Sequence, residues 1–155
     1  MTRRNRSISV STGLLCALAG SLLLSVSALA QTEHPHYLHA FADLRTARAW
    51  ITDPVQGKVT GKEVDVVAFI DKAVAEIHRA SIDDGKSLTD HDTIDASLKH
   101  KDRLHKAYEL LKSADKDLRI KEDNKEALGW RKEAIRNVEL AMRTTGEAIK
   151  EAKEK

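Results

Sequence analysis

Beyond residue 33 the apolar side chains of this chain recur at intervals of three and four, in four separate stretches. Nowhere do they alternate strictly with polar ones, the pattern a half-buried strand requires. Tyr37, Phe41, Leu44 and Ile51 form the first stripe, and Val66, Ile70, Ala73, Val74, Ile77 and Ala80 the second. Leu104, Ala107, Tyr108, Leu111, Ala114 and Leu118 form the third. Leu128, Ala134, Ile135, Val138, Ala141, Met142 and Ile149 form the fourth. A helix with one apolar stripe must bury it against a neighbour, and four such helices close most simply as a bundle. The expected fold is therefore all-α, an antiparallel four-helix bundle.

The punctuation agrees with that reading. With 7 Gly and 2 Pro in 155 residues, breakers are few and stand between the stripes. Pro35 suits a first helical turn. Asp53-Pro54 and Gly57 to Gly61 separate the first two stretches, Gly85 stops the second, and Asp123-Asn124 precedes the last. The spacing predicts helices over about 36–51, 63–82, 101–120 and 125–153. A polar connector over 86–99 is longer than the links usual in compact bundles, hence either functional or loose. The aromatics are Tyr37, Phe41, Trp50, Phe69, Tyr108 and Trp130, and alanine fills many stripe positions, so the helices can approach closely while each residue buries little area.

Residues 1–30 read as a secretory signal peptide. Arg3, Arg4 and Arg6 form a positive start, Gly13 to Val26 a Leu/Ala-rich apolar run, and Ala28-Leu29-Ala30 the small residues of a cleavage site. The competing reading is an uncleaved anchor, because the run approaches spanning length; the serines around it and the Ala-x-Ala site favour cleavage. A periplasmic or secreted domain over 31–155, with no stable membrane anchor, is the expectation. The formal charge of +2 belongs to the leader: three of the 26 basic residues lie there with no acid, leaving 23 against 24 acidic side chains. That balance gives no reason to expect nucleic-acid binding. Cys16, the lone cysteine, sits in the apolar run. Cleavage would leave a domain without thiol chemistry.

Candidate chemistry rests on histidine and aspartate. His36, His39 and Asp43 are spaced by three and four, which puts them on one helix face, and neutral imidazole with carboxylate binds Zn²⁺ or Cu²⁺. The wheel sets them roughly opposite the Tyr37/Phe41/Leu44 stripe, facing solvent, where a solvated polar face is the simpler reading. His105 and Glu109 repeat the pairing on the third helix. A second group, Asp90, His91 and Asp92 in the connector, offers oxygen ligands for a hard cation, though its spacing is not that of a calcium loop and turn chemistry accounts for it too. His78 and His100 stand alone. Glu76 and His78 are two apart, on different faces, so the Glu-x-x-His pairs of a di-iron bundle are missing. There is no Gly-rich phosphate loop, serine elbow or His-Glu-x-x-His helix, and no enzyme activity is expected.

The stretches HPHYLHAFADLRTARAW and EIHRASIDDGK resemble segments shared by a set of uncharacterised exported bacterial helical proteins. The resemblance spans most of the mature chain and implies a secreted helical protein. In plan the chain is also similar to small periplasmic metal-binding four-helix proteins rich in histidine. It carries seven histidines rather than one in nearly every helical turn, so dense metal loading is not implied.

Two function classes follow. One is a periplasmic, non-enzymatic binding or accessory module, with a divalent transition metal at the first-helix histidines. The alternative is an envelope interaction or chaperone-like module that docks a partner helix or a second copy and holds no metal. Its supporting features are the Ala-rich faces, the Lys/Glu-laced fourth helix, and Trp50, expected to be exposed beside a loop.

Overall fold

The computed structural model describes residues 35–52, 61–79, 87–120 and 127–152, all within one compact unit, Glu33–Lys155. Four helices account for most of them: α1 (Pro35–Thr52), α2 (Lys62–Arg79), α3 (His100–Leu118) and α4 (Ala127–Glu151). Among the described residues there is no strand, as the periodicity requires. The predicted signal peptide lies outside the described residues, as do the expected helix ends at 80–82, 125–126 and 153. No described helix is long and apolar enough to cross a membrane.

Local chemistry sets the helix ends. Gly61 has φ of +53°, a left-handed conformation that favours glycine, and its carbonyl accepts from the Val64 N–H at 3.2 Å as α2 begins. Glu63 and Asp65 occupy the first turn of α2 and His78 and Arg79 the last, in keeping with the helix dipole. At the end of α3 the Arg119 N–H donates to the Asp115 and Lys116 carbonyls, and the Ile120 N–H to that of Asp117, which tightens the last turn.

Side-chain contacts give the helix directions. Phe41 meets His78 and Arg48 meets Asp71, so α1 and α2 are antiparallel. Lys62 meets Glu147 and Arg79 meets Trp130, so α2 and α4 are antiparallel. His39 meets Asp117, so α1 and α3 are antiparallel as well. The order is up-down-down-up. The closest seams are α2–α4 and α1–α3, completed by α3–α4 and α1–α2.

This order explains the long connector. Since α2 and α3 point the same way, the chain must return along the bundle, a distance of about 27 Å for an 18-residue helix. Residues 87–99 make this return as a strap, neither helical nor loose. Asp90 Oδ2 accepts from the Ser87 N–H at 2.9 Å, and Asp95 Oδ1 accepts from the Ser97 N–H at 2.9 Å and hydroxyl at 2.6 Å, so turns replace helical bonds. Ile94 and Leu98 pack on the core, and the Asp92 N–H donates to Thr46 Oγ1 at 3.3 Å.

The core follows the stripes: Phe41, Leu44, Val66, Ile70, Leu104, Leu111, Leu118 and Val138 are buried, with Ala40, Ala47, Ala73, Ala107, Ala114, Ala134 and Ala141 between them. Leu128 departs from its predicted place and is exposed, one residue into α4 and beyond the packed seam. Trp50 corrects the expectation of exposure. It is 7% exposed, because three residues after Ala47 it falls on the same inward stripe, whereas Trp130 is 40% exposed. Ten of the eighteen residues of α1 are buried, Arg45 and Thr46 among them. Arg45 lies 4.5 Å from the centroid of the Phe41 ring, a cation–π contact within the interior.

Candidate metal centre

The α1–α3 seam brings together three of the chain's ligand-type side chains. His39 and Asp43 are one turn apart on α1, with Nδ1 and Oδ2 3.8 Å apart. The antiparallel register sets Asp117, near the end of α3, beside them, and His39 Nδ1 donates to Asp117 Oδ2. Four residues further along α1, Asp43 receives a hydrogen bond from Ser113, four residues back along α3. One ligand atom from each of His39, Asp43 and Asp117 lies within 4.8 Å of the others.

The group has an inside and an outside. The His39 side chain is 63% exposed, while those of Asp43 and Asp117 are 12% and 13% exposed. The imidazole forms the rim and the carboxylates the floor. Asp43 Oδ2 is buried without a hydrogen-bond partner, a position a native fold rarely leaves empty-handed. Burial pushes the Asp43 carboxyl above its ordinary range; the Ser113 bond and the His39 charge oppose this, and the charges of Asp117 and Asp92 add to it. His39 is raised as well, first by its bond to Asp117 and next by the charge of Asp43, with desolvation opposing and the charge of Asp117 adding. The His39 ring nitrogen thus lies between two carboxylates.

The donor set is of a kind that can hold a cation. Metal–nitrogen and metal–oxygen bonds of about 2.1 Å put neighbouring tetrahedral ligand atoms about 3.4 Å apart. The 3.8 Å between His39 Nδ1 and Asp43 Oδ2 would close by a few tenths of an ångström, while the hydrogen-bonded His39–Asp117 pair would open to admit the ion. One imidazole with two carboxylates is a borderline-to-hard donor set, suited to Zn²⁺ and accepted by Cu²⁺. Three protein ligands leave at least one coordination position open, and binding would displace the shared proton.

His36, half-buried in the first turn of α1, is not among the grouped donors, so of the predicted trio His39 and Asp43 meet and Asp117 joins them. The expectation that all three face solvent holds for His39 but not for Asp43, which borders the seam. Asp90, His91 and Asp92 lie on the strap and, with Ala42, Arg45 and Thr46, line a cavity of about 310 Å³. Within that trio, Asp90 holds its turn and His91 Nδ1 donates to the Asp92 carbonyl at 2.8 Å. His100 Nε2 pairs with Glu63 at 3.0 Å, His78 packs edge-on to Phe41, and Glu109 pairs with Lys112 rather than His105. Asp117 escaped sequence reasoning because it is 78 residues from His39; its one local signal is a boundary place between Ala114 and Leu118 on the third stripe.

No protein-family model, curated protein or solved structure matches this chain, and a functional reading therefore rests on the residues themselves.

Proposed function

We propose that this protein is an exported, non-enzymatic helical-bundle module that holds a divalent transition ion, Zn²⁺ or Cu²⁺, at His39, Asp43 and Asp117. One observation carries the reading: three donor atoms from two antiparallel helices lie within 4.8 Å of one another, and one of them, Asp43 Oδ2, is buried without a partner. The cation would take the place of the proton shared by His39 and Asp117 and neutralise the buried carboxylate. Export is supported by the charge and apolar pattern of residues 1–30. Electron paramagnetic resonance of the purified protein with one equivalent of Cu²⁺ tests the site. The expected spectrum has one nitrogen among oxygen donors and changes to that of free or scattered copper in His39→Ala. A spectrum unchanged by that substitution would remove the proposal.

A second reading, docking of a partner with no metal, is supported by the exposure of Leu128 and Trp130 at the start of α4. Trp50, buried in the core, no longer supports it. Sedimentation measures it directly: a concentration-dependent dimer lost in Trp130→Ala is the expected result, and a monomer at all concentrations counts against self-docking.

A further inference from the structure

We propose that the strap supplies a fourth ligand, the Asp92 carboxylate, which closes over a cation held by His39, Asp43 and Asp117 and so fastens the α2–α3 crossing to the α1–α3 seam. This rests on the metal reading above and extends it to a residue and a segment that reading does not need.

The placement comes from the strap's anchor. The Asp92 N–H donates to Thr46 Oγ1 at 3.3 Å, while the Thr46 hydroxyl donates to the Ala42 carbonyl at 3.0 Å. On a helix turning about 100° per residue, His39, Asp43 and Thr46 fall within about 60° of one another. The strap therefore crosses α1 on the stripe that carries the site, one turn beyond Asp43, where side chains are about 5–6 Å apart. Asp92 is also the uncommitted acid of the strap. The Asp90 carboxylate accepts from the Ser87 N–H and that of Asp95 from Ser97, whereas Asp92 is bonded through its backbone N–H and carbonyl only. Its side chain is exposed, and it lines the cavity that Ala42, Arg45 and Thr46 of α1 border on either side of Asp43 in sequence. Its charge is felt at Asp43, alongside that of Asp117. Three carboxylates around one imidazole repel one another until a divalent cation joins them. Zn²⁺ with three protein ligands keeps a fourth position, which an aspartate held to α1 by its own backbone N–H can turn to fill.

The test is Zn²⁺ titration of the full-length protein and of Asp92→Asn, Asp90→Asn and His39→Ala, with hydrogen exchange of residues 87–99 followed with and without Zn²⁺. Asp92→Asn should weaken Zn²⁺ binding about tenfold or more, while Asp90→Asn, which removes the same charge from the same strap, changes it far less. Zn²⁺ should slow exchange across 87–99 in the native protein and not in Asp92→Asn. Equal Zn²⁺ affinity in the native protein and Asp92→Asn, with binding still lost in His39→Ala, would overturn the fourth ligand and leave the three-residue site standing. Affinity unaltered by His39→Ala, or no Zn²⁺ binding at all, would overturn both.

Discussion

Replacing Asp43 with asparagine should stabilise the metal-free protein while removing its response to metal. The side chain is 12% exposed, its Oδ2 has no hydrogen-bond partner, and burial raises its pKa, so the ionised form is held at some disadvantage in the fold. Asparagine has the same shape. Its carbonyl oxygen can keep the Ser113 hydrogen bond, and its amide N–H can donate toward Asp117. An unsatisfied buried polar group costs about 1–3 kcal/mol, and a lost attraction to His39 offsets part of that gain. The net expectation is about 1 kcal/mol in favour of Asp43→Asn, or about 4 °C in Tm for a domain of this size. With Zn²⁺ at a hundred times its Kd, the native protein gains about 2.7 kcal/mol and the variant loses nearly all of it. Thermal melts followed by circular dichroism, in chelator and in Zn²⁺, should therefore rank the two proteins in opposite orders. A variant that melts lower in chelator, or that keeps the full Zn²⁺ shift, would refute the reasoning.

Three further outcomes are expected. His39 has its pKa raised above 6.5, so the stability it contributes is full below that value and fades as pH rises through the raised one; the metal-free protein should gain stability as pH falls toward 6.5, and His39→Gln should lose that gain in melts across the range. Asp43 is raised above 3.8 and acts in the same direction at lower pH, whereas Asp95 and Glu147, both lowered, act against it there. Trp50→Ala should cost about 3–5 kcal/mol in denaturant unfolding and Trp130→Ala under about 1, because Trp50 lies in the core and Trp130 at the surface; equal effects would contradict the placement of the two rings. Amino-terminal sequencing of the protein exported from a bacterial host should begin at Gln31, and a retained leader would turn the cleavage reading into an anchor.

Much of the fold is legible in the sequence because each helix announces itself by a stripe. Leu104, Ala107, Leu111, Ala114 and Leu118 keep helical spacing and are all buried. Less legible is α1, which packs against α2, α3 and the strap, so that Arg45 and Thr46 are buried beside its apolar stripe. The topology is also hidden from periodicity. An up-down-down-up order shows itself in sequence only through the length of the stretch between Arg79 and His100, which has to cross the bundle. The site divides in the same way. His39 and Asp43 are readable as a one-turn pair, since helix spacing alone makes them neighbours. Asp117 becomes a neighbour only through the register of α1 against α3, and Asp92 only through the path of the strap.

Asp117→Asn is consequently the sharpest probe of the central claim, since the fold alone brings that residue to His39. Calorimetric titration of Zn²⁺ into the native protein should give one saturable site per chain, with Kd in the micromolar range or below. In Asp117→Asn, as in His39→Ala, binding should be weaker by about 10–100-fold with the helical content unchanged. Saturable binding that survives both substitutions intact, or no binding by the native protein, would contradict a metal centre at the α1–α3 seam.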